Sequence, residues 1–206
     1  MSYLSRIRPS EWIVAAVVAV YVTGFTAWFL SIGNTEFIIY VVTMLVLTLL
    51  VGASLRVAEY PPAMLWALAL WGLLHMAGGG VPAGDGVLYG LQLVPLVADG
   101  EMTLLKYDQV VHAYGFGVAA WVLWHLLTRH YPDTRRSWTA YVFPALAAMG
   151  LGATHEIIEF SAVVAVEDTG VGGYINTALD LCFNALGAVL AMIAVAARAR
   201  RKGDPA

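Results

Sequence analysis

The sequence predicts an all-α fold, a polytopic transmembrane helix bundle of about six spans with both termini in the cytoplasm, forming a single integral membrane domain over residues 1–206. Three observations carry this expectation. First, 60% of the residues are hydrophobic and 12% are charged, against roughly a quarter charged in an ordinary soluble domain. Such a chain cannot build a polar exterior, whereas a bilayer makes an apolar exterior the stable one. Second, the apolar residues gather into windows near 11–31, 36–56, 62–78, 107–128, 138–165 and 174–198, each of a length that crosses a bilayer as a helix. Third, the cations collect at alternate ends of these windows: in the N-terminal tail, at Arg56, at Arg129, Arg135 and Arg136, and at Arg198, Arg200, Arg201 and Lys202. The opposite ends have Lys106 alongside Glu36, Asp85, Asp99, Glu101, Glu167 and Asp168, and the positive-inside rule then sets the orientation in a bacterial inner membrane.

Each element has its own local justification. Arg6 and Arg8 precede the first window, and no small-residue cleavage signal follows it closely, so it reads as an uncleaved first helix. Ser31-Ile-Gly-Asn34, the Glu59-Tyr-Pro-Pro62 turn, the 78–106 connection, Arg129–Ser137 and Glu167–Gly173 separate the windows. The third window is the shortest. Trp12, Trp28, Trp66, Trp71, Trp121, Trp124 and Trp138 fall mostly towards window ends, where indole prefers the headgroup level. The long connection contains the apolar run 88–97, too short to span; Pro95 and the glycines make it a re-entrant, interfacial or hairpin-like segment. Cys182 has no partner, which excludes a disulfide framework and a cysteine-based zinc site. No basic stripe with interleaved aromatics points to nucleic acid.

Against this background the stretch Gly152-Ala-Thr-His-Glu-Ile-Ile-Glu-Phe160 stands out, since ionisable groups in a lipid-embedded helix are costly and mark function by default. Four windows carry such groups: His75 on the third, Asp108 and His112 on the fourth, His155, Glu156 and Glu159 on the fifth, and Asn176, Asp180 and Asn184 on the sixth. The alternating topology puts all of them in the outer half of the membrane, and helical spacing gathers each set on one side of its rod. The expectation is an outward-facing pocket. Nitrogen and oxygen donors without thiolates suit Zn²⁺ best, with Fe²⁺ or Mn²⁺ as alternatives. His75, Asp108, His112, His155 and Asp180 are the candidate ligands, Glu156 and Glu159 the candidate catalytic bases, and Asn176, Asn184 and Tyr107 their hydrogen-bonding supports. One metal and two are both compatible with these residues. A metal-free network holding the helices together is the bland alternative, disfavoured because intramembrane polar contacts average well under a kcal/mol while each buried charge costs several.

Other polar features have ordinary explanations. His125 and His130 sit at headgroup level beside Arg129, and Met44, Met64, Met149 and Met192 are apolar filler. Gly115, Gly117, Gly150, Gly152 and Gly187 with Ala191 read as small-residue helix contacts. His155-Glu-Ile-Ile-Glu159 lacks the second histidine of the zinc-protease motif, so its meaning rests on its companions.

Taken together, Tyr107-Asp-Gln-Val-Val-His112, His155-Glu-Ile-Ile-Glu159 and Asn176-Thr-Ala-Leu-Asp-Leu181 make the chain resemble the YjdF-like family of bacterial inner-membrane proteins of unknown function, from the third span onward. The resemblance implies site roles for Asp108, His112, Glu156, Glu159 and Asp180. Asn176 stands where it implies an aspartate, which argues against a ligand there and favours a single metal. Three functions follow as expectations: a metal-dependent hydrolase, or its redox variant, acting on a lipid-type substrate; a proton- or metal-ion-coupled transporter; or an assembly protein with a structural metal. Thr23, Thr43, Thr48 and Ser54 are the polar groups of the cytoplasmic half, and so few favour a one-sided pocket over a transport path.

Overall fold

Six helices long and apolar enough to cross a membrane make up most of the chain in the computed structural model, which describes residues 7–33, 36–99, 102–165 and 173–201. Arg6, Asn34, Glu101, Lys202 and residues 167–172, Glu167 and Asp168 among them, lie outside the described residues. The chain divides into two units, Met1–Leu88 and Tyr89–Ala206.

The first unit holds α1 (Pro9–Ser31), α2 (Glu36–Ala58) and α3 (Pro62–Gly80), followed by the two-residue strands β1 (Pro82–Ala83) and β2 (Gly86–Val87), which pair antiparallel. Proline opens both α1 and α3, where its missing N–H would have had no helical partner. Glu11, buried in the first turn of α1, accepts from the backbone N–H of Arg8 at 2.7 Å and from its Nε at 2.8 Å. The same guanidinium donates through Nη2 to the Tyr60 carbonyl at 2.7 Å, fastening the start of α1 to the turn between α2 and α3. At the other end of α3, a Cβ on Gly79 would stand 1.7 Å from the Phe37 ring. Glycine is what lets that ring lie against the helix backbone and stack on Phe29, centroids 5.0 Å apart.

The second unit begins with β3 (Gln92–Asp99) and β4 (Met102–Lys106), then α4 (Tyr107–His130), α5 (Thr139–Ala165) and α6 (Tyr174–Arg201), with a short 3-10 turn at Pro132–Arg136. The connection expected to be re-entrant, interfacial or hairpin-like is a pair of antiparallel hairpins. In the larger one the register jumps from Gln92 opposite Lys106 to Val97 opposite Leu104. Pro95 lies within that irregularity, where a residue with no N–H breaks no regular ladder.

Helix α4 packs on α6, and α5 packs on both. The α4–α6 seam depends on glycine: a Cβ on Gly187 would meet the Ala113 carbonyl oxygen at 1.8 Å, and one on Gly117 would meet the Gly187 oxygen at 3.1 Å. Gly152 of α5 faces Asn184, whose Nδ2 would lie 2.7 Å from an added Cβ, whereas Gly150 faces open space. Small residues thus bring the three backbones close enough for side chains to meet across them.

Candidate metal centre

The cluster of the second unit is assembled from one-turn spacings. Asp108 and His112 lie one turn apart on α4, as do His155 and Glu159 on α5, while Asn176, Asp180 and Asn184 occupy successive turns of α6. His112 is at the middle of it. Its Nδ1 lies 2.9 Å from Asn184 Oδ1, and since a carbonyl oxygen can only accept, Nδ1 carries the proton and Nε2 the lone pair of the neutral ring. That lone pair faces Asp108 Oδ1 at 3.5 Å. Two electron-rich atoms facing one another in a buried place call for something positive between them, either a proton or a metal ion. At zinc-ligand bond lengths, two tetrahedral donors are separated by about 3.4 Å, close to the gap observed.

Two donor sets surround the ring. Asp108, His112 and Asp180 offer atoms all within 4.8 Å of one another, and His112, His155 and Glu159 do the same. His155 Nε2 and Glu159 Oε1 are 3.2 Å apart. Asp180 is fully buried, and its Oδ1 has no hydrogen-bond partner among the described residues. Its Oδ2 accepts from Asn176 Nδ2 at 2.5 Å, and Asn176 Oδ1 in turn accepts from Lys106 Nζ. Glu156 belongs to neither set. It is 7% exposed, its Oε1 lies 3.6 Å from His112 Nδ1, and neither of its oxygens has a hydrogen-bond partner among the described residues.

Of the ligands expected from sequence, Asp108, His112, His155 and Asp180 thus lie in this cluster together with Glu159, and Asn176 and Asn184 hydrogen-bond to its members. Tyr107 opens α4 with its ring beside Tyr89. His75 belongs to the first unit, where its ring meets Tyr40 edge-on with centroids 5.4 Å apart. Lys106 and Gln109 were not among the site residues read from sequence. Gln109 is fully buried; its Oε1 accepts from the backbone N–H of Leu105 at 2.6 Å and of Lys106 at 3.1 Å, while its Nε2 donates to the Thr103 carbonyl at 2.9 Å. The signal for it was a glutamine three residues after a helix boundary, the position from which a side chain reaches back to the backbone before the helix.

Six apolar helices with a buried cluster of imidazoles and carboxylates define a multi-pass membrane protein with a polar site inside it. Residues 10–201 match the model of a family described as "Predicted membrane protein (DUF2238)", and the chain belongs to that family, with which the YjdF-like resemblance is consistent. No curated protein and no solved structure gave a significant match.

Proposed function

We propose that the second unit holds a transition-metal ion at Asp108, His112 and Asp180, Zn²⁺ fitting the donors best, and that the protein is a metal-dependent hydrolase of a lipid-type substrate. The observation that carries this reading is Glu156, a buried carboxylate with neither oxygen hydrogen-bonded among the described residues, 3.6 Å from His112 Nδ1 and outside both donor sets. Its nearest approach is to the Nδ1 edge of the ring, whereas Nε2 faces Asp108, so as a general base it would act on a water lying between it and the donor set. A metal held here would polarise an ester carbonyl or phosphoryl oxygen and activate a water. Glu156 takes the proton of that water, Asn184 fixes the His112 ring, and Asn176 steadies Asp180.

Depth supports the substrate class. His112 is about 8 Å and Asp180 about 9 Å along the axis from the start of its helix; with those starts at headgroup level, this is the edge of the hydrocarbon, near the acyl linkages of a lipid. The distribution of cations supports both termini in the cytoplasm of a bacterial inner membrane, with the site reached from the outer leaflet.

The test combines metal analysis with lipid analysis. Detergent-purified protein should contain about one equivalent of metal, H112A should lose it, and E156Q should keep it. In cells, a lipid class depleted by the native chain should persist with E156Q. Metal-free protein whose stability is indifferent to chelator refutes the metal; cation or proton flux in proteoliposomes that D180N abolishes would replace the hydrolase with a transporter.

A further inference from the structure

Lys106 stands at the junction of β4 and α4, and three features show how closely its position is fixed. Leu105, immediately before it, has φ 69°, a left-handed conformation that is unfavourable for a residue with a Cβ. The strained peptide is held by Gln109, a fully buried side chain whose oxygen accepts from the N–H of both Leu105 and Lys106. Burying a glutamine in this way is favourable only because its amide is so fully engaged. The third feature is the contact made at the far end of the lysine. Its ammonium donates to the amide oxygen of Asn176, a neutral group, and through that amide it is linked to Asp180.

An ammonium has three N–H donors. Asn176 takes one, and the charges of Asp108 and Asp180 also act on the ammonium. Lys106 therefore brings further N–H donors and a positive charge next to the donor set of Asp108, His112 and Asp180. The N-termini of α4 and α6 lie at the same end, since Lys106 precedes one and Asn176 is in the first turn of the other, and both add positive partial charge there. The remaining cations of the described second unit, Arg129, Arg135, Arg198, Arg200 and Arg201 with Arg136, belong to the opposite ends of these helices and the turn between them.

We propose that Lys106 is the anion anchor of the site and that the substrate is a lipid bearing a phosphate, gripped between Lys106 and the cation. This rests on the metal-dependent reading above and narrows its substrate. Lys106 binds one phosphate oxygen, a cation held by Asp108, His112 and Asp180 would supply the remaining positive charge, and Gln109 is a positioning residue that sets where the ammonium stands. A lysine suits this role as a compact point charge on a flexible stem.

The experiment measures binding of phosphatidic acid, phosphatidylcholine and diacylglycerol to the purified full chain in nanodiscs, with inorganic phosphate as a competitor and metal content determined on the same samples. The native chain should prefer phosphatidic acid over diacylglycerol by about tenfold or more, K106M should lose that preference while retaining its metal, and K106R should restore part of it. Q109A should weaken phosphatidic acid binding with the metal still present. Displacement by millimolar inorganic phosphate assigns the anchor to phosphate itself; resistance to it assigns the anchor to phosphate on a lipid, and the first result overturns the lipid part of the proposal. Equal binding of phosphatidic acid by the native chain and by K106M, both metal-loaded, overturns the anchor and leaves the metal centre standing. Native protein without metal overturns the reading on which the anchor rests.

Discussion

Replacing Gly187 by alanine tests whether the polar cluster depends on the glycine seam beneath it. The added Cβ would stand 1.8 Å from the Ala113 carbonyl oxygen, 2.6 Å from its carbonyl carbon and 2.8 Å from its Cα, where ordinary contact begins at 3.4 Å. These are backbone atoms, so no rotamer change relieves the clash. The two helices must separate by roughly 1.6 Å, or slide to a similar extent, and overpacking of this kind costs about 1–3 kcal/mol. Ala113 follows His112 directly, and Gly187 lies three residues beyond Asn184, so the opening falls on the His112–Asn184 contact of 2.9 Å. A metal site tolerates errors of about 0.2 Å in its ligand distances. The displacement is several times larger, so G187A should lose at least tenfold in metal affinity along with a lowered thermal midpoint. Metal content after dialysis against a graded chelator series, together with unfolding in detergent followed by tryptophan fluorescence, reads both effects. Native affinity accompanied by a lowered midpoint would refute the link between seam and site. Native values of both would refute the close approach itself.

Two further outcomes follow from individual hydrogen bonds. N184A removes the acceptor that holds the His112 ring at Nδ1; metal affinity should fall about 10- to 100-fold, measured by competition with a chromogenic chelator, and an unchanged affinity would mean that packing alone orients the ring. Q109A strips the acceptor from two backbone N–H groups next to a positive-φ residue and should cost about 1–3 kcal/mol. Amide exchange over residues 103–106 should accelerate more than exchange within α4, and uniform protection would contradict the role given to this side chain.

The spans were legible because lipid imposes one simple requirement, a long apolar helix, and composition over a window reports on it directly. The candidate site was legible for a related reason: Asp108, His112, Glu156 and Asp180 are expensive in an apolar helix, and one-turn spacing already tells which of them share a side. What a helix pattern cannot reveal is which helices are neighbours. His75 entered the expected ligand set on depth alone, and within the first unit its ring meets Tyr40 edge-on. The hairpin of β3 and β4 was one of three readings of its segment, and the irregular pairing around Pro95 is why an alternating pattern did not single it out. Lys106 escaped notice because its role depends on backbone geometry, a left-handed Leu105 above all, while the capping pattern of Gln109 is readable only once the start of α4 is fixed.

Asn176 gives the site an asymmetry of its own. Its oxygen is turned to an ammonium and its nitrogen to a carboxylate, so neither end of the amide can be exchanged for the other without setting donor against donor and acceptor against acceptor. It works as a neutral adaptor: it links Lys106 to Asp180, while the ammonium still feels the charges of Asp108 and Asp180. The aspartate implied at this position by the family resemblance would meet Lys106 charge to charge and face Asp180 as a like charge. Position 176 therefore decides whether the lysine meets a neutral amide or a carboxylate there, and in this chain it meets the amide.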